Sequence, residues 1–345
     1  MNTTTLPTIL INMPMAETII TDGLLEQFQQ QFPGYQLHVV SARATHEIPT
    51  DIWQHTEILA TLGHLLPDPE QAPRLRWVHL HSAGADVATR QPLYKTDVIF
   101  TTSSGVHSIN IAEFVLAAIL SWYHEFARMY QGQQQKNWIE MQHFQIDELH
   151  GKTLGIVGYG SIGREIARQA RAFGTRILAT QRNTDHRDHG FLFPGIGDPE
   201  GTIPERYYPI EQLHALLQES DIVVAAVPLT DSTRQLFNEA AFKAMKRHAY
   251  FINIARGEVC DENALIQALS EQWIAGATLD VFEQEPLPAE SPLWSLPNVF
   301  LTPHISGWTP HYTQRTLAIF TENLRRYQAH APQTMYNLVD KQHGY

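Results

Sequence analysis

The sequence has a single cysteine and no long hydrophobic run, and both absences narrow its class. Cys260 has no cysteine partner in the chain, which excludes an intrachain disulfide and a zinc ribbon, so we expect its thiol only to pack and predict no metal site. No apolar stretch approaches the ~20 residues of a transmembrane helix. The opening MNTTTLPTILINMPM lacks the basic and apolar regions of a signal peptide. We therefore expect a cytoplasmic protein without a membrane partner.

Basic residues are also scarce. The chain has 24 Lys and Arg against 36 Asp and Glu, a formal net charge of −12, which argues against a nucleic-acid partner but leaves room for a local pocket that binds a small anion. Its 345 residues suffice for two domains, and a composition of 43% hydrophobic and 17% charged residues is typical of globular proteins. A small molecule is the partner that these properties favour.

Short apolar runs alternate with helix-like stretches along the chain, which predicts an α/β protein. In the first hundred residues such runs lie near residues 8, 37, 52 and 75. A second series follows, with predicted strands at Leu154–Gly158, Arg176–Thr180, Asp221–Val227, Tyr250–Ile254, Gly276–Val281 and Val299–Thr302. Six strands of this kind fit a doubly wound parallel sheet of the Rossmann type.

An apolar segment, Ile111–Met129, separates the two series. It is preceded by the capping candidates Ser108 and Asn110 and predicts one mostly buried helix next to a domain boundary near residue 107. The segment 189–204 is rich in glycine and proline and predicts a surface loop after the second strand of the second series. The sequence assigns no role to this loop.

A glycine motif follows the first strand of the second series. Residues 158–163 read GYGSIG and open a helix that is closed by Gly174. Gly158 permits a tight turn, Gly160 lets the backbone approach a pyrophosphate, and Gly163 lets the helix pack closely on the strand. Free N–H groups at the helix start bind the anion. Strand, spacing and helix together predict a dinucleotide site and not a plain turn.

The next strand predicts which dinucleotide is bound. A ribose-binding carboxylate is expected about twenty residues past the motif, but the chain reads Gln181, Arg182, Asn183 there. No carboxylate repels a 2′-phosphate, and a guanidinium is available to pair with it, so the sequence favours NADP over NAD. A surface position for Arg182, or stacking on the adenine of either cofactor, is the alternative.

Three segments of the second half each follow a predicted strand, where ligands bind in such sheets: NIARGEV at 253–259, LDVFEQEPLP at 279–288 and LTPHISG at 301–307. Reduction of a keto acid needs a cation for the substrate and an acid for the developing alkoxide, and Arg256, Glu285 and His304 supply these groups. Residue chemistry alone does not single them out. The chain has 18 histidines, and a solvated histidine or a surface ion pair is the alternative.

These segments resemble the D-isomer-specific 2-hydroxyacid dehydrogenases, a family that includes glyoxylate/hydroxypyruvate reductases and phosphoglycerate dehydrogenase. The resemblance spans nearly the whole chain and also rests on SAGAD at 82–86, GVHSINIAEFVLA at 105–117, GKTLGIVGYGSIG at 151–163, VPLTDSTRQLF at 227–237 and TPHISGWTP at 302–310. It implies an NAD(P)-dependent enzyme that interconverts a small 2-oxo acid and its D-2-hydroxy acid. Two departures stand out: the helix after Leu120 reads SWYHEF where the resemblance implies an arginine near His124, and Gln181 with Arg182 replaces the acidic ribose ligand.

The resemblance also implies roles for individual residues. Arg256 would hold the substrate together with the backbone amides of Ala83 and Gly84, His304 would be the general acid/base, and Glu285 would orient the imidazole and stabilise its charge. The implied cofactor contacts are Gly158, Gly160, Ser161, Ile162, Gly163, Gln181, Arg182, Val227, Pro228, Thr233, Ile254, Ala255, Asp280, His304 and Gly307. From the residues alone, Asp280 is equally well a turn carboxylate, and Trp308 either lines a substrate pocket or packs in the core.

The implied architecture is a Rossmann cofactor domain inserted into a flavodoxin-like α/β substrate domain. We expect residues 1–106 in the substrate domain, 107–303 in the cofactor domain and 304–345 back in the substrate domain. The resemblance also implies a homodimer, for which the apolar 111–129 helix is a candidate interface. Two other functions stay open: a dinucleotide-sensing corepressor module without turnover, and a formate or phosphonate dehydrogenase on the same fold.

Overall fold

The structure is a computed structural model that describes residues 6–13, 22–181 and 186–342. The chain forms two compact units, one made of residues 1–106 and 310–345 and the other of residues 107–309. The second unit is therefore an insertion in the sequence of the first. None of the helices within the described ranges is long and apolar enough to cross a membrane.

The first unit is built on a five-stranded parallel sheet with the order β2-β1-β3-β4-β5, which is the flavodoxin-like order. Its strands are Thr8–Asn12 (β1), Gln36–Val40 (β2), Thr56–Thr61 (β3), Trp77–Leu80 (β4) and Ile99–Thr102 (β5). The α-helices within the described residues before 106 are Asp22–Gln31 (α1) and Thr50–His55 (α2). Every residue of β1 is buried, because both faces of the sheet are covered, and this explains the unbroken apolar run of its sequence.

The second unit contains a seven-stranded parallel sheet with the order β12-β11-β10-β9-β6-β7-β8. Its strands are Thr153–Val157 (β6), Arg176–Thr180 (β7), Arg206–Tyr208 (β8), Ile222–Ala225 (β9), Tyr250–Asn253 (β10), Gly276–Leu279 (β11) and Val299–Leu301 (β12). Its helices are Ser108–Tyr123 (α3), Phe126–Gln134 (α4), Ser161–Arg171 (α5), Leu213–Glu219 (α6), Glu239–Ala244 (α7) and Glu262–Ser270 (α8). This order is the doubly wound one with an added edge strand, so the predicted Rossmann fold is confirmed.

Two predictions for the second unit need correction. The sheet has a seventh strand, β8, which sequence reasoning missed because it is only three residues long and follows the 189–204 loop directly. The predicted helix over residues 111–129 is two helices, α3 and α4. Glu125 separates them in the left-handed conformation, with φ of 51°, which interrupts the helical hydrogen bonds. Its carboxylate accepts from Arg128 across 3.0 Å and thereby fixes the start of α4.

The chain returns to the first unit with helix Tyr312–Gln328 (α9). Leu317, Phe320 and Leu324 of α9 are buried against the same core as Ile9 and Ile11 of β1. We expected the return at residue 304, but the structure groups residues 304–309 with the second unit. The physical reason is that Asp280, which follows β11, and Asn110 of α3 form hydrogen bonds to the backbone of this stretch.

Candidate active site

The candidate residues of the second unit gather at one edge of its sheet. All seven strands are parallel, so their carboxyl ends lie at the same edge. The glycine turn follows β6, and Arg256, Glu285 and His304 follow β10, β11 and β12, which are neighbours. Four strand spacings separate β6 from β12, about 19 Å. A ligand that touches both must extend along this edge, as a dinucleotide does.

The glycine turn fits the phosphates of a dinucleotide. Gly158 has φ of +105°, and a Cβ there would lie 2.6 Å from the Ala226 carbonyl oxygen. A Cβ at Gly163 would lie 2.4 Å from the Gly158 carbonyl oxygen, so packing alone requires both glycines. A Cβ at Gly160, in contrast, would meet no protein atom within 4 Å. Open space at Gly160, at the start of α5 with Ser161 and Ile162, is what a bound pyrophosphate needs.

His304 and Glu285 form a hydrogen-bonded pair. Nδ1 of His304 lies 2.8 Å from Oε2 of Glu285, and Oε1 of Glu285 accepts from the Phe282 N–H across 3.1 Å. The carboxylate accepts only, so Nδ1 carries a proton and Nε2 is left for a substrate. Both side chains are more than a third exposed, 48% for His304 and 37% for Glu285. The pair therefore has the arrangement of a general acid/base and the carboxylate that orients it.

Asp280 anchors the turn that carries His304. Its carboxylate is buried and accepts three hydrogen bonds, from the Thr302 hydroxyl (2.6 Å), the Ile305 N–H (2.8 Å) and the Ser306 N–H (3.0 Å). His304 lies at the apex of this turn with φ of 52°, a left-handed conformation that the three bonds maintain. In the structure Asp280 is thus a turn carboxylate, which the sequence allowed as one of its two roles.

Helix α3 holds the far side of the same turn. Nδ1 of His107 lies 2.9 Å from the Gly307 carbonyl oxygen, and the Asn110 side chain donates to the Ser306 carbonyl oxygen across 2.7 Å. These bonds, with those of Asp280, keep residues 304–309 in the second unit. Sequence reasoning did not find these roles for His107 and Asn110, although both lie in the quoted segment 105–117 and Asn110 was considered only as a helix cap.

Arg256 lies in a turn that is fixed from two sides. The Asn253 side chain donates to the Arg256 carbonyl oxygen (3.2 Å) and accepts from the Ala255 N–H (3.1 Å). On the other side, a Cβ at Gly257 would come within 1.8 Å of the Phe282 carbonyl carbon, so the backbones of the two loops touch. The Arg256 turn therefore contacts the loop that leads to Glu285. Arg256 itself is half-buried, and its Nη1 donates to the Ala255 carbonyl oxygen.

The other predicted cofactor residues lie on the same edge with different exposure. Val227 and Pro228 follow β9, with Val227 buried and Pro228 exposed, whereas Ile254 and Ala255 are buried after β10. Thr233 was predicted near the pyrophosphate. Its hydroxyl donates to the Pro228 carbonyl oxygen across 2.6 Å and closes the loop after β9, so any phosphate contact by Thr233 would compete with this bond.

Gln181 follows β7 and is half-buried, and its Oε1 lies 3.2 Å from Nδ1 of His186. Arg182, the predicted partner of a 2′-phosphate, lies outside the described residues. Ala83 and Gly84 belong to the first unit, in a turn after β4 where the Ser82 hydroxyl donates to the Gly84 carbonyl oxygen across 2.6 Å. No group of three or more potential metal ligands occurs in the described part of the chain.

Comparisons with known proteins show the family of the chain. Residues 116–306 match the model of the family "D-isomer specific 2-hydroxyacid dehydrogenase, NAD binding domain". The chain is 37% identical over 273 residues to a glyoxylate reductase of Korarchaeum cryptofilum, which covers 76% of this chain and 78% of that protein. It is also 37% identical over 276 residues to a glyoxylate reductase of Pyrococcus furiosus, covering 78% and 77%.

A solved structure extends the similarity to nearly the full length. A D-isomer specific 2-hydroxyacid dehydrogenase from Xanthobacter autotrophicus, solved with NADPH and MES, superposes with a TM-score of 0.77 at 29% identity, covering 98% of this chain and 99% of that one. The predicted family and fold are thereby confirmed. The chain belongs to the D-isomer specific 2-hydroxyacid dehydrogenase family and is an NAD(P)-dependent 2-hydroxyacid dehydrogenase.

Proposed function

We propose that this enzyme reduces a small 2-oxo acid to the D-2-hydroxy acid, with His304 as the general acid and NADPH as the preferred reductant. The observation that carries the proposal is the 2.8 Å pair of His304 and Glu285 at the sheet edge that also bears the glycine turn. The similarity to glyoxylate reductases makes glyoxylate the first substrate to test.

His304 and Glu285 perform the proton chemistry. The nicotinamide ring, when bound, supplies the hydride for C2 of the substrate. His304 Nε2 gives its proton to the carbonyl oxygen as negative charge develops there, and Glu285 stabilises the imidazolium through Nδ1. In the oxidative direction neutral His304 takes the hydroxyl proton back.

Arg256 holds the substrate in our proposal. A guanidinium binds a carboxylate through two parallel N–H···O bonds, which fixes both the distance and the plane of the acid. The backbone amides of Ala83 and Gly84 are proposed to receive the same carboxylate. Such positioning converts a bimolecular encounter into a reaction between aligned groups.

NADPH is the proposed cofactor because no carboxylate follows β7 at Gln181. An acidic residue there would bind the 2′-hydroxyl of NAD and repel a 2′-phosphate. Gly158, Gly160, Gly163 and the start of α5 would hold the pyrophosphate in either cofactor, so the choice between them depends on residues 181 and 182.

The test is an absorbance assay of NADPH and NADH oxidation against glyoxylate, hydroxypyruvate, pyruvate, phenylpyruvate and branched 2-oxo acids, with chiral chromatography of the product. We expect turnover of at least one substrate, faster with NADPH, and a D product. His304→Gln should bind NADPH and lack turnover. Cofactor binding without turnover on any substrate would favour a sensing module, and oxidation of formate or phosphonate alone would favour the other alternative.

We also propose a homodimer formed through the second unit. Helix α4 and the chain after it expose large apolar side chains, which we name the 126–141 patch: Phe126, Met129, Tyr130, Trp138 and Met141. Trp138 is 91% exposed, and the chain folds back on α4 through the bond from the Asn137 N–H to the Gly132 carbonyl oxygen. Several large exposed apolar side chains in one short stretch of chain are typical of an interface.

Light scattering after size-exclusion chromatography tests the dimer. The wild type should have twice the mass of the chain, and Trp138→Glu should raise the dissociation constant of the dimer. The matched control is Phe300→Glu, an exposed aromatic residue of β12 outside the patch. A monomeric wild type at micromolar concentration would refute the proposal.

A further inference from the structure

The loop after β7 is built around a buried arginine of the glycine-motif helix. Arg164 of α5 is 2% exposed, and its guanidinium donates to the carbonyl oxygens of Asp198 (2.6 Å) and His186 (2.7 Å). Its Nε lies 3.4 Å from a carboxylate oxygen of Asp188. A buried guanidinium is stable only where charges and acceptors surround it, and here residues 186–204 supply them. We name these residues the 186–204 segment.

Residues 189–204 were predicted as a surface loop, and the 186–204 segment contains no helix or strand, but part of it is buried. Gly197, Asp198, Gly201 and Pro204 are all buried. The Asp188 N–H donates to the Pro199 carbonyl oxygen across 2.9 Å, which closes the segment on itself. The segment is therefore a folded part of the second unit.

Asp198 connects the segment to the glycine turn. One carboxylate oxygen, Oδ2, accepts from the Tyr159 hydroxyl (2.8 Å) and from the Ile203 N–H (3.0 Å), and the other accepts from the Thr202 N–H (3.1 Å). Tyr159 lies between Gly158 and Gly160 in GYGSIG, and its side chain is buried. The residue between the two glycines is thus tied to a carboxylate 39 positions later in the chain.

Two more contacts hold the segment against the same turn and helix. The Arg164 guanidinium carbon lies 4.9 Å from the centre of the Tyr159 ring, a cation–π contact. The buried carboxylate of Glu165 accepts from the Gly197 N–H across 2.7 Å. The segment therefore contacts the glycine turn through Tyr159. It contacts the first turns of α5 through Arg164 and Glu165.

We propose that the 186–204 segment braces the phosphate-binding turn, with Asp198 as a positioning residue that acts on the dinucleotide through Tyr159. The Tyr159 N–H donates to the Thr180 carbonyl oxygen (3.1 Å), so the Asp198 bond is the second fixed point of this residue. The turn binds phosphates through backbone N–H groups, whose directions change when the peptide planes rotate. The inference rests on the proposed function only in requiring that the chain binds a dinucleotide.

The proposal makes a specific statement about the two cofactors. NADPH and NADH share the pyrophosphate and differ at the ribose phosphate. Loss of the Tyr159–Asp198 bond should therefore raise the Kd of both cofactors by the same factor and leave the ratio of the two Kd values unchanged.

The experiment compares two tyrosines of the same region by fluorescence titration of NADPH and of NADH, together with thermal unfolding. Tyr159→Phe removes the hydroxyl that reaches Asp198 and keeps the ring over which Arg164 lies. Tyr207→Phe removes a hydroxyl that donates to the Gly201 carbonyl oxygen (2.9 Å) within the segment, and it keeps the ring that packs edge-on against Tyr159, with 5.5 Å between the ring centres. Each variant thus loses one hydroxyl hydrogen bond, to a carboxylate in Tyr159→Phe and to a neutral carbonyl in Tyr207→Phe.

We expect Tyr159→Phe to raise the Kd of both cofactors about fivefold, the factor that corresponds to one net hydrogen bond. Asp198→Asn should act in the same direction, whereas Tyr207→Phe should lower the melting temperature slightly at unchanged Kd. An unchanged Kd in Tyr159→Phe, or an equal rise in Tyr207→Phe, would overturn the brace. Failure of the wild type to bind either cofactor would instead refute the proposed function.

Discussion

The Thr302 hydroxyl donates to Oδ1 of Asp280 across 2.6 Å, and this bond fixes the start of the turn on which His304 stands. The same carboxylate receives two backbone N–H groups from the end of the turn. His304 is therefore aimed by a buried group that it does not touch. His304, the proposed general acid, and its anchor Asp280 follow neighbouring strands, β12 and β11.

Asp280→Asn should lower kcat about 10- to 100-fold. The amide has the size of the carboxylate, but its nitrogen cannot accept a hydrogen bond from a backbone N–H. The turn must therefore shift, and small displacements of a catalytic group lower kcat by factors of this order. Steady-state kinetics with NADPH and a saturating 2-oxo acid measure the change. Thr302→Val, which loses one bond of the three, should have a smaller effect. Wild-type kcat in Asp280→Asn would contradict the anchoring role.

Glu285→Gln should lower kcat by about 10²–10⁴-fold, the range found for general acid–base catalysis. The amide keeps the side-chain size but does not stabilise an imidazolium. Glu290→Gln, an exposed carboxylate on the same loop, serves as the control and should retain full activity. In the double variant with His304→Ala, the two losses should not add, because both residues serve one step.

Arg182→Asp should raise the Michaelis constant for NADPH at least about tenfold. A charge-assisted phosphate contact contributes about 1.4 kcal/mol or more to binding, and this free energy corresponds to a factor of ten. The constant for NADH should stay the same or fall, because a carboxylate binds the free ribose hydroxyls. Kinetics with the two cofactors on one substrate make the comparison internal. Unchanged NADPH kinetics would reject the assignment of Arg182.

Arg164→Met should reduce the free energy of unfolding by about 3–5 kcal/mol, because it leaves Asp188 and two buried carbonyl groups without their cation. Arg171→Met, on the exposed side of the same helix, should change it by less than about 0.5 kcal/mol. Urea unfolding followed by circular dichroism measures both. Equal stability of the two variants would contradict the buried cluster.

Acid should destabilise the first unit through two buried histidines. Trp77 donates to the Thr101 hydroxyl, and the Ser103 hydroxyl donates to the Leu80 carbonyl oxygen. Burial favours the neutral form of His79 and holds its pKa well below the usual value. In that form Nε2 donates to the Ser103 hydroxyl and Nδ1 accepts from the Thr101 hydroxyl.

Burial also lowers the pKa of His81 from 6.5 to about 4. Below pH 6.5 His81 binds a proton in the unfolded chain but not in the folded chain. The free energy of unfolding should therefore be highest above pH 6.5 and fall towards pH 4, by about 3 kcal/mol for His81. Urea unfolding of the wild type and of His81→Asn across this range measures the slope, which should be shallower in the variant. His64→Asn, an exposed histidine of the same unit, should keep the wild-type slope.

Local patterns in the sequence predicted the fold well. The glycine motif, the apolar strands and the order of elements are short-range signals, and each describes residues that lie together in the chain. The missed strand β8 has only three residues, two of which are tyrosines beside a proline-rich loop. The break at Glu125 was missed because the apolar residues continue past it, and only the backbone angle reveals it.

The supporting residues of the site were harder to predict. Glu285 and His304 stand out by their chemistry and motif. The anchoring role of Asp280 depends instead on bonds to backbone groups in the loop after the neighbouring strand β12, and that of Asn253 on bonds to backbone groups two and three residues later. The same holds for Asp198, whose partner Tyr159 precedes it by 39 residues. A polar residue in a loop can form hydrogen bonds with many different groups, and the tertiary fold decides which of them lies within reach.

The close approach of Gly257 to Phe282 has a consequence for redesign. Next to it, the Glu262 N–H donates to the Glu283 carboxylate, and the Glu283 N–H donates to that of Glu262, both across 3.2 Å. The loops that carry Arg256 and Glu285 are thereby held in contact with each other. A chimaera that borrows one of them from a relative must therefore keep a glycine at position 257, because a Cβ there would lie 1.8 Å from the Phe282 carbonyl carbon.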